Sequence, residues 1–335
     1  MPTICKKCVL PEAPPGIVFD ELGVCSLCRA HERLEAKQPG RPPLETDFIK
    51  LLDRKKGKGA YDCLVMCSGG KDSTAALYYM ARRYKMRILA FMFEHGFETL
   101  EARANVERAV EILGVDFLFF KSSYLMPMFK RLLETGSNAV ICHPCSIWYM
   151  DLAFDLAARF RIPFIVAGWT KGQSTDQDAM SKGGCSLHSP EFAAMGRATQ
   201  EFLDGALKDL PQYRTFPRTM EEVLKRARKK FKSTVVSPHW FLPFDQETYV
   251  ELIKKELGWE QIEFSYPKGS TNCTLNFISV HNSMRDFGYT HYHVEASKLI
   301  RAGVLTREKA LRDLAIDFDK ETLNRIAKKL DYRFD

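Results

Sequence analysis

At 335 residues, with 45% hydrophobic and 27% charged side chains, the chain has the composition of a globular protein large enough for one big or two ordinary domains plus an appendage. No apolar run approaches the roughly 20 residues of a membrane span. The start, Met1-Pro-Thr-Ile-Cys-Lys-Lys-Cys8, lacks the apolar core of a secretory leader, so a cytoplasmic location is expected. The net charge of +7 permits an RNA or nucleotide-sugar partner without requiring one, and ten cysteines in such a chain point to metal binding or catalysis rather than disulfides.

The chain opens on Cys5-x-x-Cys8 and Cys25-x-x-Cys28, sixteen residues apart. Each pair can chelate from a tight knuckle, and four thiolates close a tetrahedral site of the structural Zn²⁺ type, with a redox dithiol or iron site as the other readings. A module of residues 1–35 has little core of its own, so the metal supplies its folding energy. Residues 36–60 read as a linker: a Pro-Gly-Arg-Pro-Pro turn at 39–43, a helix, and the basic stretch Arg54-Lys-Lys-Gly-Lys58.

The stretch that organises the rest is Tyr61-Asp-Cys-Leu-Val-Met-Cys-Ser-Gly-Gly-Lys-Asp-Ser73. Cys63 to Cys67 is an apolar run of strand length, Ser68-Gly69-Gly70 breaks it, and helical spacing resumes from Thr74. Free N–H groups at a helix start suit phosphate. Ser68 and Ser73 add hydroxyls, Lys71 a cation, and Asp72 a carboxylate that can cap the helix or hold Mg²⁺ through the phosphates. The spacing does not fit the mononucleotide P-loop. Ser68-Gly69-Gly70-Lys71-Asp72-Ser73 instead resembles, at every position of the S-G-G-x-D-S pattern, the pyrophosphate loop of the N-type ATP pyrophosphatases. That resemblance implies ATP as cofactor, transfer of AMP to an acceptor oxygen, release of pyrophosphate, and displacement of AMP by a nucleophile. The plain alternative is a chance glycine turn.

From 61 to about 170, within a domain taken as 61–190, strands and helices alternate, which predicts an α/β fold with a doubly wound parallel sheet. The second strand, Met86 to Phe93, should place Phe93 beside the nucleotide, because ligands of such sheets lie beyond the carboxyl ends of the strands. His95, just after it, is a candidate ribose or base contact, or a polar loop residue. A helix over 100–113 ends at Gly114, and a third strand runs from Val115 to Phe120. Cys142-His-Pro-Cys145 enters a helix predicted over 147–159, where the positive helix end would lower a thiol pKa. With Cys273 these cysteines could hold a [4Fe-4S] cluster with one open iron; they could also be substrate-site thiols, a redox or persulfide-carrying pair, or packing residues. Ile162 to Gly168 is the next strand, and Gly168 would let the chain approach the nucleotide. Residues 174–189 read as a substrate lid. Beyond 190 the chain reads as a mostly helical substrate region with doubtful strands at 233–243. There Pro238-His-Trp240 could line a pocket, and His291, Tyr292, His293, Glu295, Lys298 and Arg301 suit a sugar or phosphate. Lys225-Arg-Ala-Arg-Lys-Lys230 is either the solvated end of a helix or a patch for RNA or an anionic substrate.

Taken together, the N-terminal cysteine pairs, Phe19-Asp-Glu-x-Gly23, Ser68 to Ser73, Cys142-x-Pro-Cys145, Gly269-Ser-Thr-Asn-Cys273 and Phe287-Gly-Tyr … Thr306-Arg-Glu resemble the N-acetyl sugar amidotransferases of O-antigen and nonulosonic acid pathways over nearly the whole chain. The resemblance implies adenylation of an acetamido oxygen on a nucleotide-linked sugar and replacement by ammonia, supplied by a glutaminase and synthase pair. Gly168-Trp-Thr-Lys-Gly172 departs from that family, which tends to carry Gly-Glu-Asn there. The order of pyrophosphate loop, Cys-x-x-Cys and later single cysteine is also similar to the iron-sulfur-dependent thiouridine synthetases, which implies sulfur transfer to RNA. The two readings share Lys71 and Asp72, and the cluster reading adds Cys142, Cys145 and Cys273 as catalytic positions.

Overall fold

The computed structural model describes residues 3–37, 44–173, 190–243, 245–269 and 271–335. The predicted lid at 174–189 and the turn at 39–43 lie outside the described residues. In chain order the elements are α1 (Ser26–Lys37), α2 (Glu45–Asp53), β1 (Cys63–Met66), α3 (Lys71–Tyr78), β2 (Ile88–Glu94), α4 (Leu100–Leu113), β3 (Asp116–Lys121), α5 (Met126–Glu134), α6 (Cys142–Arg159), β4 (Phe164–Val166), α7 (Ala193–Asp209), α8 (Met220–Lys230), β5 (Thr234–Val236), α9 (Gln246–Leu257), α10 (Leu275–Phe287), α11 (His291–Arg301), α12 (Arg307–Asp313) and α13 (Lys320–Ala327).

The five strands form one parallel sheet in the order β3-β2-β1-β4-β5, with Cys63 level with Ile88 on one side and Phe164 on the other. This is the expected doubly wound α/β sheet, and its order reverses between β1 and β4. Because side chains alternate across a strand, Leu64 and Met66 face a layer built from α5, α6, α8, α10 and α13. Cys63 and Val65 face α2, α3, α4 and α9. Both faces are covered, which is why the strands read as unbroken apolar runs. Caps behave as their residues dictate: Thr99 accepts from the N–H of Ala102 at the start of α4, and Gly114 closes that helix at φ 65°.

Two divisions drawn from the sequence are redrawn. β5 lies beyond residue 190 yet pairs in parallel with β4, and α9 packs on the same face as α3. The sheet domain therefore takes up residues 234–257, and the boundary at 190 does not separate it from a helical region. A three-residue strand is too short to register a period. Likewise α2, assigned to a linker, buries Phe48 and Leu52 completely or nearly so, and Glu45 pairs with Arg83 at 2.5 Å.

The N-terminal module is built from isolated antiparallel bridges, Ile4 to Pro11, Ala13 to Ile17 and Phe19 to Cys25. It docks on the C-terminal helices. Arg307 donates to the carbonyls of Cys5 and Cys8 at 3.0–3.3 Å, Val9 N–H donates to Ser297 Oγ, and the cysteines share a buried cluster with Val140, Tyr289 and Val294.

Candidate active site

The loop after β1 lies at the reversal of strand order, where such sheets bind ligands. Gly69 adopts φ +79°, and a Cβ there would sit 2.0 Å from the carbonyl oxygen of Ala102, so the loop is pressed against the start of α4. Gly70 is different: its φ of −73° suits any residue, and the only atom near its missing Cβ is Ser68 Oγ at 3.6 Å. The Gly69 carbonyl accepts from Trp259 Nε1 (2.9 Å) and Asn105 Nδ2 (3.3 Å). In a trans peptide the N–H points opposite to the C=O, so these two bonds aim the Gly70 N–H the other way, toward the cavity that Gly70 lines.

Ser73 Oγ braces the loop, donating to the Gly70 carbonyl (3.1 Å) and receiving the Ser68 N–H (3.2 Å), with Ser68 Oγ at 3.1 Å. Among the described residues, the backbone N–H groups of Gly69, Gly70, Lys71 and Asp72 have no protein acceptor. Four unpaired donors at a helix start form a concave anion receptor. Lys71 Nζ lies 3.1 Å from Asp72 Oδ2, and the other carboxylate oxygen accepts from Tyr249 Oη at 2.5 Å. Burial first, then the Asp72 charge, pushes the Tyr249 phenol up, so it stays a donor. His239 Nε2 meets the Asp72 carbonyl at 2.9 Å. Gly168, two residues past β4, allows another close approach: a Cβ would lie 2.5 Å from Ser73 N.

A cavity of about 420 Å³ runs from Ser68, Gly70, Asp72 and Gly168 to Cys142 and on to the α11 face that carries His291, Tyr292, Glu295 and Lys298. Glu295 is partly buried there and accepts from Thr170 Oγ1 (3.1 Å) and Gln173 Nε2 (3.4 Å). Burial, and then the charge of Asp72, raises its pKa. Lys298 is tied to Glu191 at 3.4 Å. Phe93, expected beside the nucleotide, is instead in the core, stacked at 5.9 Å on Tyr149 and 6.1 Å on Phe120, and does not line the cavity. His293 also faces away, accepting the Thr290 N–H as part of the cap of α11.

Cys142 and Cys145 occupy the first turn of α6, which begins five residues earlier than predicted. The expected lowering of their pKa by the helix end does not occur. Burial outweighs it, taking Cys142 to about 11 and Cys145 well above the ordinary thiol range. Cys273 is raised likewise, by burial and then by Glu98, Cys142 and Cys145, so the three thiols share one buried neighbourhood. They do not close as a set around one point. Among the described residues, two groups of metal-ligand atoms lie wholly within 4.8 Å: Cys5, Cys8, Cys25 and Cys28, and His95 with Glu98 and Cys273.

In the N-terminal group Cys8 Sγ and Cys25 Sγ are 3.7 Å apart, and the N–H groups of Lys7 and Cys25 point at Cys5 Sγ. Hydrogen bonds from Cys25 and then Cys28 lower Cys5 and bring Cys8 to about 6, whereas Cys28 is raised by the same neighbours, Cys25 first. Four thiols this close cannot all ionise without a cation among them, and the donor set leaves no open position.

The residues that sequence reasoning missed all come from afar: Asn105 on α4, Tyr249 on α9 and Trp259 after it. None sits in a motif. His239 and Glu295 did belong to stretches marked as pocket-like, and both reach the site.

No family model matches the chain. It is similar to an uncharacterized protein of Methanocaldococcus jannaschii, 21% identical over 264 residues, 79% of this chain and 76% of that one. It is also similar to 7-cyano-7-deazaguanine synthase 2 of Sulfurisphaera tokodaii, 26% identical over 194 residues, which cover 58% of this chain and 40% of the synthase. Among solved structures, the U34-tRNA thiolase NcsA from Methanococcus maripaludis, with its [4Fe-4S] cluster, aligns over 99% of this chain and 97% of its own at 17% identity and a TM-score of 0.39. Among the described residues no helix is long and apolar enough to cross a membrane.

Proposed function

We propose that the chain is an ATP pyrophosphatase of the PP-loop type. It moves AMP from ATP to an oxygen of an acceptor and releases pyrophosphate. The observation that carries this is the receptor of four unpaired N–H groups at Ser68 to Ser73, at the switch point of the sheet and at the edge of a cavity. Such donors cost no reorganisation when charge develops on the departing diphosphate. Lys71 offsets that charge. The Asp72 carboxylate is a hard oxygen donor suited to Mg²⁺, which would be held between it and the phosphates and neutralise them. Zn²⁺ in the four-cysteine module is structural and fixes the C-terminal helices that form the far cavity wall.

The acceptor oxygen attacks the α-phosphorus, pyrophosphate leaves, and a nucleophile then adds to the activated carbon and expels AMP. Amidation, the reading carried by the sugar-amidotransferase resemblance, and sulfur transfer differ only in that nucleophile. The place of Cys142, a partly buried thiol lining the cavity, favours sulfur: sulfide supplied there would attack the adenylated carbon and AMP would leave with the oxygen. An RNA base is then the acceptor. A [4Fe-4S] cluster on the three cysteines is the form this takes in the sequence, where it would supply an iron for sulfide.

The test is pyrophosphate release. Purified protein with ATP and Mg²⁺ should liberate pyrophosphate, not orthophosphate, when given the right acceptor, with RNA plus sulfide and a UDP-N-acetyl sugar plus ammonia run side by side. Cleavage between the β- and γ-phosphates would refute the proposal. Turnover with the sugar alone would restore amidation.

A further inference from the structure

At the end of β2 and in the segment before α10, three side chains that no motif joins meet inside the protein. His95 Nε2 lies 3.1 Å from Glu98 Oε1 and 3.8 Å from Cys273 Sγ, and all the donor atoms fall within 4.8 Å. We propose that His95, Glu98 and Cys273 bind a single divalent d-block ion such as Zn²⁺, Co²⁺ or Fe²⁺, with a fourth position left for a small ligand.

The distances carry the proposal. A tetrahedral ion held at about 2.0 Å from nitrogen, about 2.1 Å from oxygen and about 2.3 Å from sulfur separates its nitrogen and oxygen ligands by about 3.4 Å, and its nitrogen and sulfur ligands by about 3.5 Å. The observed separations fall within a few tenths of an ångström of both. Read as a hydrogen bond, the contact between His95 and Cys273 is long, and one Nε2–H cannot serve both neighbours well. As ligands around one ion, the three donor atoms are used together, while His95 Nδ1 stays buried without a partner among the described residues. A mixed N, O, S donor set suits borderline ions rather than Ca²⁺ or Mg²⁺.

The site is also held in shape before any ion arrives. Glu98 Oε2 accepts the backbone N–H groups of His95, Gly96 and Phe97 at 3.0–3.2 Å, which pins the carboxylate and leaves Oε1 turned to the site. Residues 97–99 and 272–274 are clamped by an antiparallel bridge between Glu98 and Cys273, by Thr99 N–H to the Asn272 carbonyl (3.0 Å) and by Thr274 N–H to the Phe97 carbonyl (2.8 Å). His95 is packed among Phe93, Phe97 and Phe129, with the last edge-on at 5.5 Å. Ligands locked by backbone bonds and packing are what a metal site requires of its supports. Among the described residues no fourth metal-ligand side chain joins the group, so the remaining position goes to water or to an added nucleophile.

The proposal concerns these three side chains alone and does not depend on ATP chemistry. The test uses the full chain with Zn²⁺ already in its four-cysteine module. Anaerobic titration with Co²⁺ should add one further equivalent, with tetrahedral visible bands and a near-ultraviolet thiolate band of single-sulfur intensity. X-ray absorption of that sample should show one sulfur together with lighter ligands. His95→Ala should weaken this equivalent at least tenfold, Cys273→Ser should remove the thiolate band, and Cys142→Ala should change neither. If His95→Ala does not fold, the absorption spectrum of the unmodified protein still decides. Absence of a second equivalent would overturn the proposal, as would its survival in His95→Ala. So would reconstitution of four irons with sulfide that Cys142→Ala loses and His95→Ala retains.

Discussion

Adjacent glycines in the loop should respond in opposite ways to the same methyl group. Gly69→Ala meets two penalties. Its φ of +79° costs an L-residue roughly 1–2 kcal/mol, and its Cβ would fall 2.0 Å from the backbone oxygen of Ala102, which no side-chain rotation can relieve. Overpacking of that kind costs about 1–3 kcal/mol, so the total loss is roughly 2–5 kcal/mol. Gly70→Ala meets neither, with φ −73° and its nearest neighbour at 3.6 Å. Its folded state should be unchanged and its unfolded state less free, a net change between zero and a gain of about 1 kcal/mol. Its methyl group would, however, stand beside N–H groups assigned to the diphosphate. Urea denaturation with pyrophosphate release on the same samples reads both effects. Gly69→Ala should shift the midpoint strongly downward, while Gly70→Ala keeps the midpoint and loses turnover. Equal stabilities for the two variants would refute the loop geometry, and a fully active Gly70→Ala would refute the role given to those donors.

Asp72→Ala should abolish pyrophosphate release and leave circular dichroism unchanged; retained turnover would remove Asp72 from the mechanism. Tyr249→Phe deletes a hydrogen bond to that carboxylate and should cost about 1.5–3 kcal/mol, and a double-mutant cycle with Asp72→Ala should show that the two losses do not add. Burial lowers the pKa of His293 from 6.5 to about 4, so between these values the unfolded chain binds the extra proton and the native one does not. Stability conferred by the neutral ring is therefore complete above pH 6.5 and lost as pH falls toward 4, by at most about 3 kcal/mol; His293→Asn should flatten that part of the stability profile. Stripping the metal from Cys5, Cys8, Cys25 and Cys28 should release Arg307 and Ser297 from their partners. Amide exchange over residues 291–301 should then quicken at least tenfold, and unaltered exchange would mean that the module does not support α11.

Much of the fold could be read before any coordinates, for reasons visible in particular elements. Strands buried on both faces leave continuous apolar runs, as at Cys63 to Cys67 and Met86 to Phe93. The helix over 100–113 carries its own stop in Gly114. The turn at Ser68 to Ser73 was legible because its signals are local: strand, glycine, hydroxyl, cation and carboxylate lie within a few residues. β5 and α2 were not, since three residues cannot show a period and a short helix shows its burial only once something covers it.

By itself, the order of residues determined the parallel sheet, the place of the glycine loop after β1 and the fourfold thiol set, because each depends on neighbours a few positions apart. Tertiary structure alone decided which N–H groups face the cavity. Trp259 and Asn105 turn the Gly69 peptide from 190 and 36 residues away, and Cys273 is brought to His95 across 178. Contacts of that span are set by how helices pack on the sheet, and packing leaves no periodic trace along the chain.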